Sequence, residues 1–96
     1  MELLKKAQQS NWELVQKFNA LGDKTRFRLL EILLKGDDIC VSELASKIGI
    51  SNAGVSQQLK IMEQAGIIIR QRKGQKICYR INQTNSSNKQ LLNLIK

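Results

Sequence analysis

Val41-Ser42-Glu43-Leu44-Ala45-Ser46-Lys47-Ile48-Gly49-Ile50-Ser51-Asn52-Ala53-Gly54-Val55-Ser56-Gln57-Gln58-Leu59-Lys60 is the stretch that decides the reading of this chain. A short apolar-periodic segment runs from Val41 to Ile48 and stops at Gly49, a residue suited to the left-handed conformation that ends helices. Ser51 then stands at the cap of a second helix, predicted over Asn52–Ala65 and closed by Gly66. Two helices joined by so tight a turn predict a helix-turn-helix over residues 41–65. At about 100° per residue, the second helix sorts its side chains onto two faces. Asn52, Ala53, Ser56, Gln57, Lys60, Glu63 and Gln64 fall on one, and Gly54, Val55, Gln58, Leu59, Ile61, Met62 and Ala65 on the other. The second face is made to pack, while the first offers amides, a hydroxyl and an ammonium.

Downstream of Gly66 the period changes. Ile67–Arg72 and Lys76–Ile81 are β-rich runs around Lys73-Gly74-Gln75, and Ile77, Tyr79 and Ile81 alternate with Lys76, Cys78 and Arg80 as in a half-buried strand. A hairpin, or wing, is therefore expected over residues 67–81. Asn82–Asn88 reads as a polar hinge; its two Asn-x-Ser/Thr sequons, at Asn82 and Asn85, fit that better than glycosylation. Lys89–Lys96 reads as a short last helix. Upstream, residues 2–20 form a first helix with Leu4, Ala7, Asn11, Leu14, Val15, Phe18 and Leu21 near helical spacing. Asp23 caps a second helix through Leu34, apolar on more than one side and hence central. No repeat or linker divides the chain. The fold class is mainly α with a small β-hairpin: about five helices and a two-stranded wing, one domain over residues 1–96.

The chain has 96 residues, 42% of them hydrophobic. A single copy of this size buries only about 60–65% of its unfolded surface, so sharing a core with a second copy is favourable. Histidine is absent, which excludes Ser-His-Asp and Cys-His catalysis and His-based metal sites. With no paired acids in the basic half and no phosphate-cradling Gly loop, no enzyme is expected. No apolar run reaches the roughly 18 residues of a membrane span, and the N-terminus lacks a signal-peptide core, so a cytoplasmic protein is expected. Cys40 and Cys78 are too few for a disulfide-stapled secreted domain. They are expected to be ordinary buried thiols, with a redox pair as the alternative.

The net charge of +8 is uneven. Residues 1–50 carry 8 Lys/Arg against 7 Asp/Glu, whereas residues 51–96 carry 8 against 1. Arg70, Arg72, Lys73, Lys76 and Arg80 crowd an eleven-residue window without an acid. Such a cluster beside an amide-rich helix points to double-stranded DNA as the polyanion. Asn and Gln amides match the adenine edge, and Ser reaches bases or phosphates. Asn52, Ser56 and Gln57 are thus expected to read bases, and Ser51, Lys60, Arg72, Lys73 and Lys76 to hold phosphates. The alternative is a protein–protein module whose basic wing docks an acidic partner, but a purely electrostatic surface would not need uncharged amides.

The segment Phe18-Asn19-Ala20-Leu21-Gly22-Asp23-Lys24-Thr25-Arg26-Phe27-Arg28-Leu29-Leu30 resembles the opening of ArsR/SmtB-type repressors. Ile39 to Ala45, Ser51 to Leu59, Gln64 to Ile68 and the Gly74 hairpin ending Tyr79-Arg80-Ile81 match that family's later landmarks, so the resemblance covers roughly residues 14–82. It implies a winged-helix homodimer that binds an inverted-repeat operator as a transcriptional repressor, with the terminal helices, 2–20 and 89–96, as the dimer elements and Trp12, Phe18, Leu91, Leu92 and Ile95 as the candidates for its seam. Departures are equally specific. Many members sense metals through a Cys-Val-Cys box; here Cys40 keeps the first position and Ser42 takes the second. The last helix offers Asn88, Lys89, Gln90 and Asn93 in place of His or carboxylate ligands. One thiolate cannot build a zinc-type site, so neither metal nor cofactor is expected, and no inducer can be named. Lys24 replaces the family's usual Pro, and Gln58 stands where a His is common.

Overall fold

The computed structural model describes residues 2–36 and 38–95, with side chains described from Trp12 onward. The side chains of Leu4, Ala7 and Asn11, and all of Lys96, lie outside that set. The elements in order are α1 (Glu2–Leu21), α2 (Lys24–Lys35), β1 (Ile39–Cys40), α3 (Val41–Ile48), α4 (Asn52–Gln64), β2 (Ile68–Lys73), β3 (Lys76–Ile81) and α5 (Ser86–Ile95).

Local chemistry sets most of these boundaries. Asp23 accepts from the N–H groups of Thr25 (2.9 Å) and Arg26 (3.1 Å), which starts α2. Gly49, at φ 86°, ends α3 in the left-handed conformation. Two residues later, the Ser51 hydroxyl accepts from Gly54 N (3.0 Å) and begins α4. At the far end of α4, Gly66 N donates to Glu63 O (2.9 Å) and Ile67 N to Met62 O (3.1 Å), with Gly66 at φ 78°. This is the paired bonding of a Schellman stop.

Three features differ from the sequence expectation. The sheet has three strands, ordered β1-β3-β2 and antiparallel throughout, because Ile39 and Cys40 pair with Tyr79 and Cys78. A two-residue strand is too short to show a period. The hairpin is tighter than expected: Lys73 pairs with Lys76, leaving Gly74 and Gln75 as the turn, with Gly74 at φ 64°. The last helix starts three residues earlier, at Ser86, because Asn85 Oδ1 accepts from Asn88 N (3.2 Å) and from the Ser87 hydroxyl, an N-cap hidden in a polar stretch.

The core gathers around α2, whose Leu29, Leu30, Ile32 and Leu33 are buried. Leu44 of α3, Val55, Leu59 and Met62 of α4, and Ile39, Ile68, Tyr79 and Ile81 of the sheet close over it. Each fully buried aliphatic side chain contributes about 1.5–3 kcal/mol relative to exposure. Leu91 and Leu92 of α5 join the same core, at 1% and 8% exposure.

A polar seam fixes the C-terminal end of α4. Lys17 Nζ of α1 donates to Ala65 O (3.2 Å). Asn88 Nδ2 of α5 donates to both Gly66 O and Asn82 O, each at 2.8 Å. Burial holds the Lys17 ammonium below its usual pKa, with Glu13 opposing. At its middle, α4 is tied to α2: Arg26 Nη1 donates to Gln58 Oε1 (2.8 Å), while Arg26 Nε donates to Ala20 O at the end of α1. Gln58 therefore faces inward and positions α4.

Candidate nucleic-acid interface

Capped at Ser51 and anchored by Val55, Leu59 and Met62, α4 presents Asn52, Ser56, Gln57 and Lys60 as exposed side chains. The wing stands beside it, and the two enclose a groove of about 470 Å³. Asn52, Ser56 and Lys60 of α4 meet Gln75 and Lys76 of the hairpin there, with Ser42 of α3 at one edge. Arg70, Glu63 and Tyr79 also line it. Tyr79 is 5% exposed, and its phenol is pushed above its usual pKa, first by burial and then by Glu63, against the pull of Arg70.

The expected contact residues do not all converge on this groove. Ser51 is exposed, but its hydroxyl oxygen is engaged in capping α4. Gln57 and Arg72 are exposed beyond the lining. Lys73 Nζ lies 2.8 Å from Asp38 Oδ2, so its charge is partly neutralised. Sequence reasoning placed Gln75 at the hairpin tip and Arg70 in the basic cluster without assigning either an individual contact, and it gave Ser42 no part in the interface. Arg70 was within reach, because strand alternation sets it on the face of Arg72, opposite Tyr79. Among the described residues, Lys60, Arg70, Arg72 and Lys76 form no ion pair. This face thus carries unneutralised cations beside amides and a hydroxyl, a combination suited to phosphate and base edges.

Cys40 and Cys78 require a correction. They are not inert free thiols but are joined in a disulfide, opposite each other in the β1–β3 register with Cα atoms 3.7 Å apart. Thirty-eight residues separate them in the chain, and only the pairing of a strand too short to predict brings them together. Among the described residues, no three His, Cys, Asp or Glu side chains converge as a metal site.

The expected dimer residues also divide. Trp12 and Phe18 are 62% and 50% exposed on α1, and Ile95 is partly buried. Leu91 and Leu92, by contrast, are 1% and 8% exposed and pack into the chain's own core. The exposed apolar residue of α5 is Leu94, at 75%, and Val15 joins Trp12 and Phe18 on α1.

A family model for winged helix-turn-helix DNA-binding matches residues 22–69. The transcriptional repressor SdpR of Bacillus subtilis is 42% identical over 67 residues, 70% of this chain and 73% of that protein. The arsenic resistance transcriptional regulator ArsR1 of Pseudomonas putida is 34% identical over 65 residues, 68% of this chain and 51% of that protein. The chain belongs to the ArsR/SmtB-type winged helix-turn-helix family of transcriptional repressors. The family is one of DNA-binding regulators rather than enzymes. Among solved structures, this ArsR-type chain resembles the transcriptional repressor BigR of Xylella fastidiosa, with TM-score 0.74 and 28% identity over 95% of this chain and 90% of that one. A homodimeric winged helix-turn-helix domain from Mycobacterium bovis shares the fold, with TM-score 0.74 and 23% identity over 86% of this chain and 74% of that one.

Proposed function

We propose that two copies of this ArsR-type repressor bind an inverted-repeat operator, each α4 entering a major groove while its wing follows the flanking phosphates. The observation that carries this reading is the groove itself: the amide and hydroxyl face of α4 and unpaired wing cations line one opening. Asn52, Ser56 and Gln57 read base edges. Lys60, Arg70, Arg72 and Lys76 hold phosphates, and the N-terminal turn of α4 behind Ser51 adds backbone N–H donors. Lys73 contributes less while Asp38 holds it.

Dimerisation is assigned to Trp12, Val15 and Phe18 of α1 with Leu94 of α5, large apolar groups left exposed in one copy. The domain from Mycobacterium bovis that shares this fold is homodimeric, which supports pairing of two copies. Among the described residues no helix is long and apolar enough to cross a membrane. The cytoplasm, where an operator resides, is the proposed place of action.

A salt titration of duplex binding tests the reading. The logarithm of the association constant is expected to fall with the logarithm of salt at about 0.9 per neutralised phosphate, giving a slope of several units per dimer. Salt-independent binding, or preference for an acidic protein over duplex DNA, would contradict it.

A further inference from the structure

The covalent crosslink between Cys40 and Cys78 joins the start of the helix-turn-helix to the middle strand of the wing. Its two sulfurs have different surroundings. Cys78 is fully buried, whereas Cys40 is partly exposed and lines the groove between α4 and the wing. Cys40 is also the N-cap of α3, with no side-chain hydrogen bond to that helix, and Cys78 is flanked on its own strand face by Lys76 and Arg80. Helix N-termini and nearby cations both favour thiolate over thiol. A protein that works on DNA inside a cell meets a pool of small thiols, and a disulfide there is usually transient, catalytic or redox-sensing.

We propose that the Cys40–Cys78 disulfide is a thiol–disulfide exchange site that low-molecular-weight thiols open at Cys40 alone. The thiolate of the small molecule attacks Cys40 Sγ, the Cys40–Cys78 bond breaks, and Cys78 leaves as a thiolate that takes up a proton. A second small thiol attacks the small-molecule sulfur of the mixed disulfide, releasing Cys40 as a thiol and a low-molecular-weight disulfide. Two small thiols are oxidised and the protein disulfide is reduced, by two electrons and two protons. A low-molecular-weight disulfide closes the crosslink by the reverse path. Attack from the Cys78 side is blocked because that sulfur is enclosed.

The full oxidised chain is treated with glutathione, quenched with acid at intervals, and mapped by peptide mass spectrometry. The expected mixed disulfide sits on Cys40 and not on Cys78. In Cys78→Ser the adduct on Cys40 persists, since no neighbouring thiol displaces it. An adduct on Cys78, or a dithiol chain that oxidised glutathione fails to crosslink, would each overturn the proposal.

Discussion

The two faces of the wing carry similar cations and use them differently. On the groove side, Arg70 forms no ion pair among the described residues, and Lys76 reaches the same opening from the hairpin tip. On the outer side, Lys73 is held by Asp38, and the Gln71 amide lies between Asp38 Oδ1 and Arg80 Nη2, where assigning its nitrogen to the acid and its oxygen to the base (3.2 Å each) satisfies both. A crowd of five positive residues in the sequence thus becomes one surface with charge to offer and another with its charge partly satisfied. Strand alternation sets Arg70 and Arg72 on one face and Lys73, Lys76 and Arg80 on the other, and one acid, Asp38 just before β1, then distinguishes Lys73 from its cross-strand partner Lys76.

The largest test of this contrast removes the ground beneath the groove. Leu59→Ala deletes a fully buried side chain on the inner face of α4 and should cost about 2–5 kcal/mol in chemical denaturation. Its neighbour Lys60→Ala should leave the denaturation midpoint in place and change only DNA binding. Next, Arg70→Ala combined with Lys76→Ala should weaken binding to all sequences and flatten the salt slope by about 0.9 for each phosphate no longer neutralised, whereas Lys73→Ala should do distinctly less. Equal effects from the two sets would erase the distinction between the faces. Gln57→Ala should lose about 1–3 kcal/mol of discrimination between matched and altered sites, measured by competition. Uniform weakening on scrambled duplexes would instead assign Gln57 to the backbone. The smallest effect is the most pointed: Asp38→Asn releases Lys73. Stability should change by less than about 1 kcal/mol, as for other solvent-exposed pairs, while the salt slope steepens toward one further neutralised phosphate.

Much of the architecture was legible because it is local. Gly49, Ser51 and Gly66 punctuate α3 and α4 through backbone conformation and capping within a few residues, and the hairpin announces itself by alternation around Gly74. The amide face of α4 follows from helical spacing alone. What escaped depends on contacts between distant segments. Neither Ile39 nor Cys40 signals a strand until β3 lies beside it, and with that pairing came both the disulfide and the Asp38–Lys73 pair, 35 residues apart in sequence. The start of α5 was hidden for a related reason: Asn85 caps it, accepting from Asn88 N, within a stretch that reads as hinge. The site was therefore readable as residue types and incomplete as a surface.

Selection of bound sites from a pool of random duplex DNA tests the central claim most directly. Two symmetry-related grooves, each formed by α4 and its wing, should enrich an inverted repeat whose half-sites lie about one helical turn, or a multiple, apart. Enrichment of a single unrepeated site, or no enrichment at all from a pool the protein nonetheless binds, would contradict it.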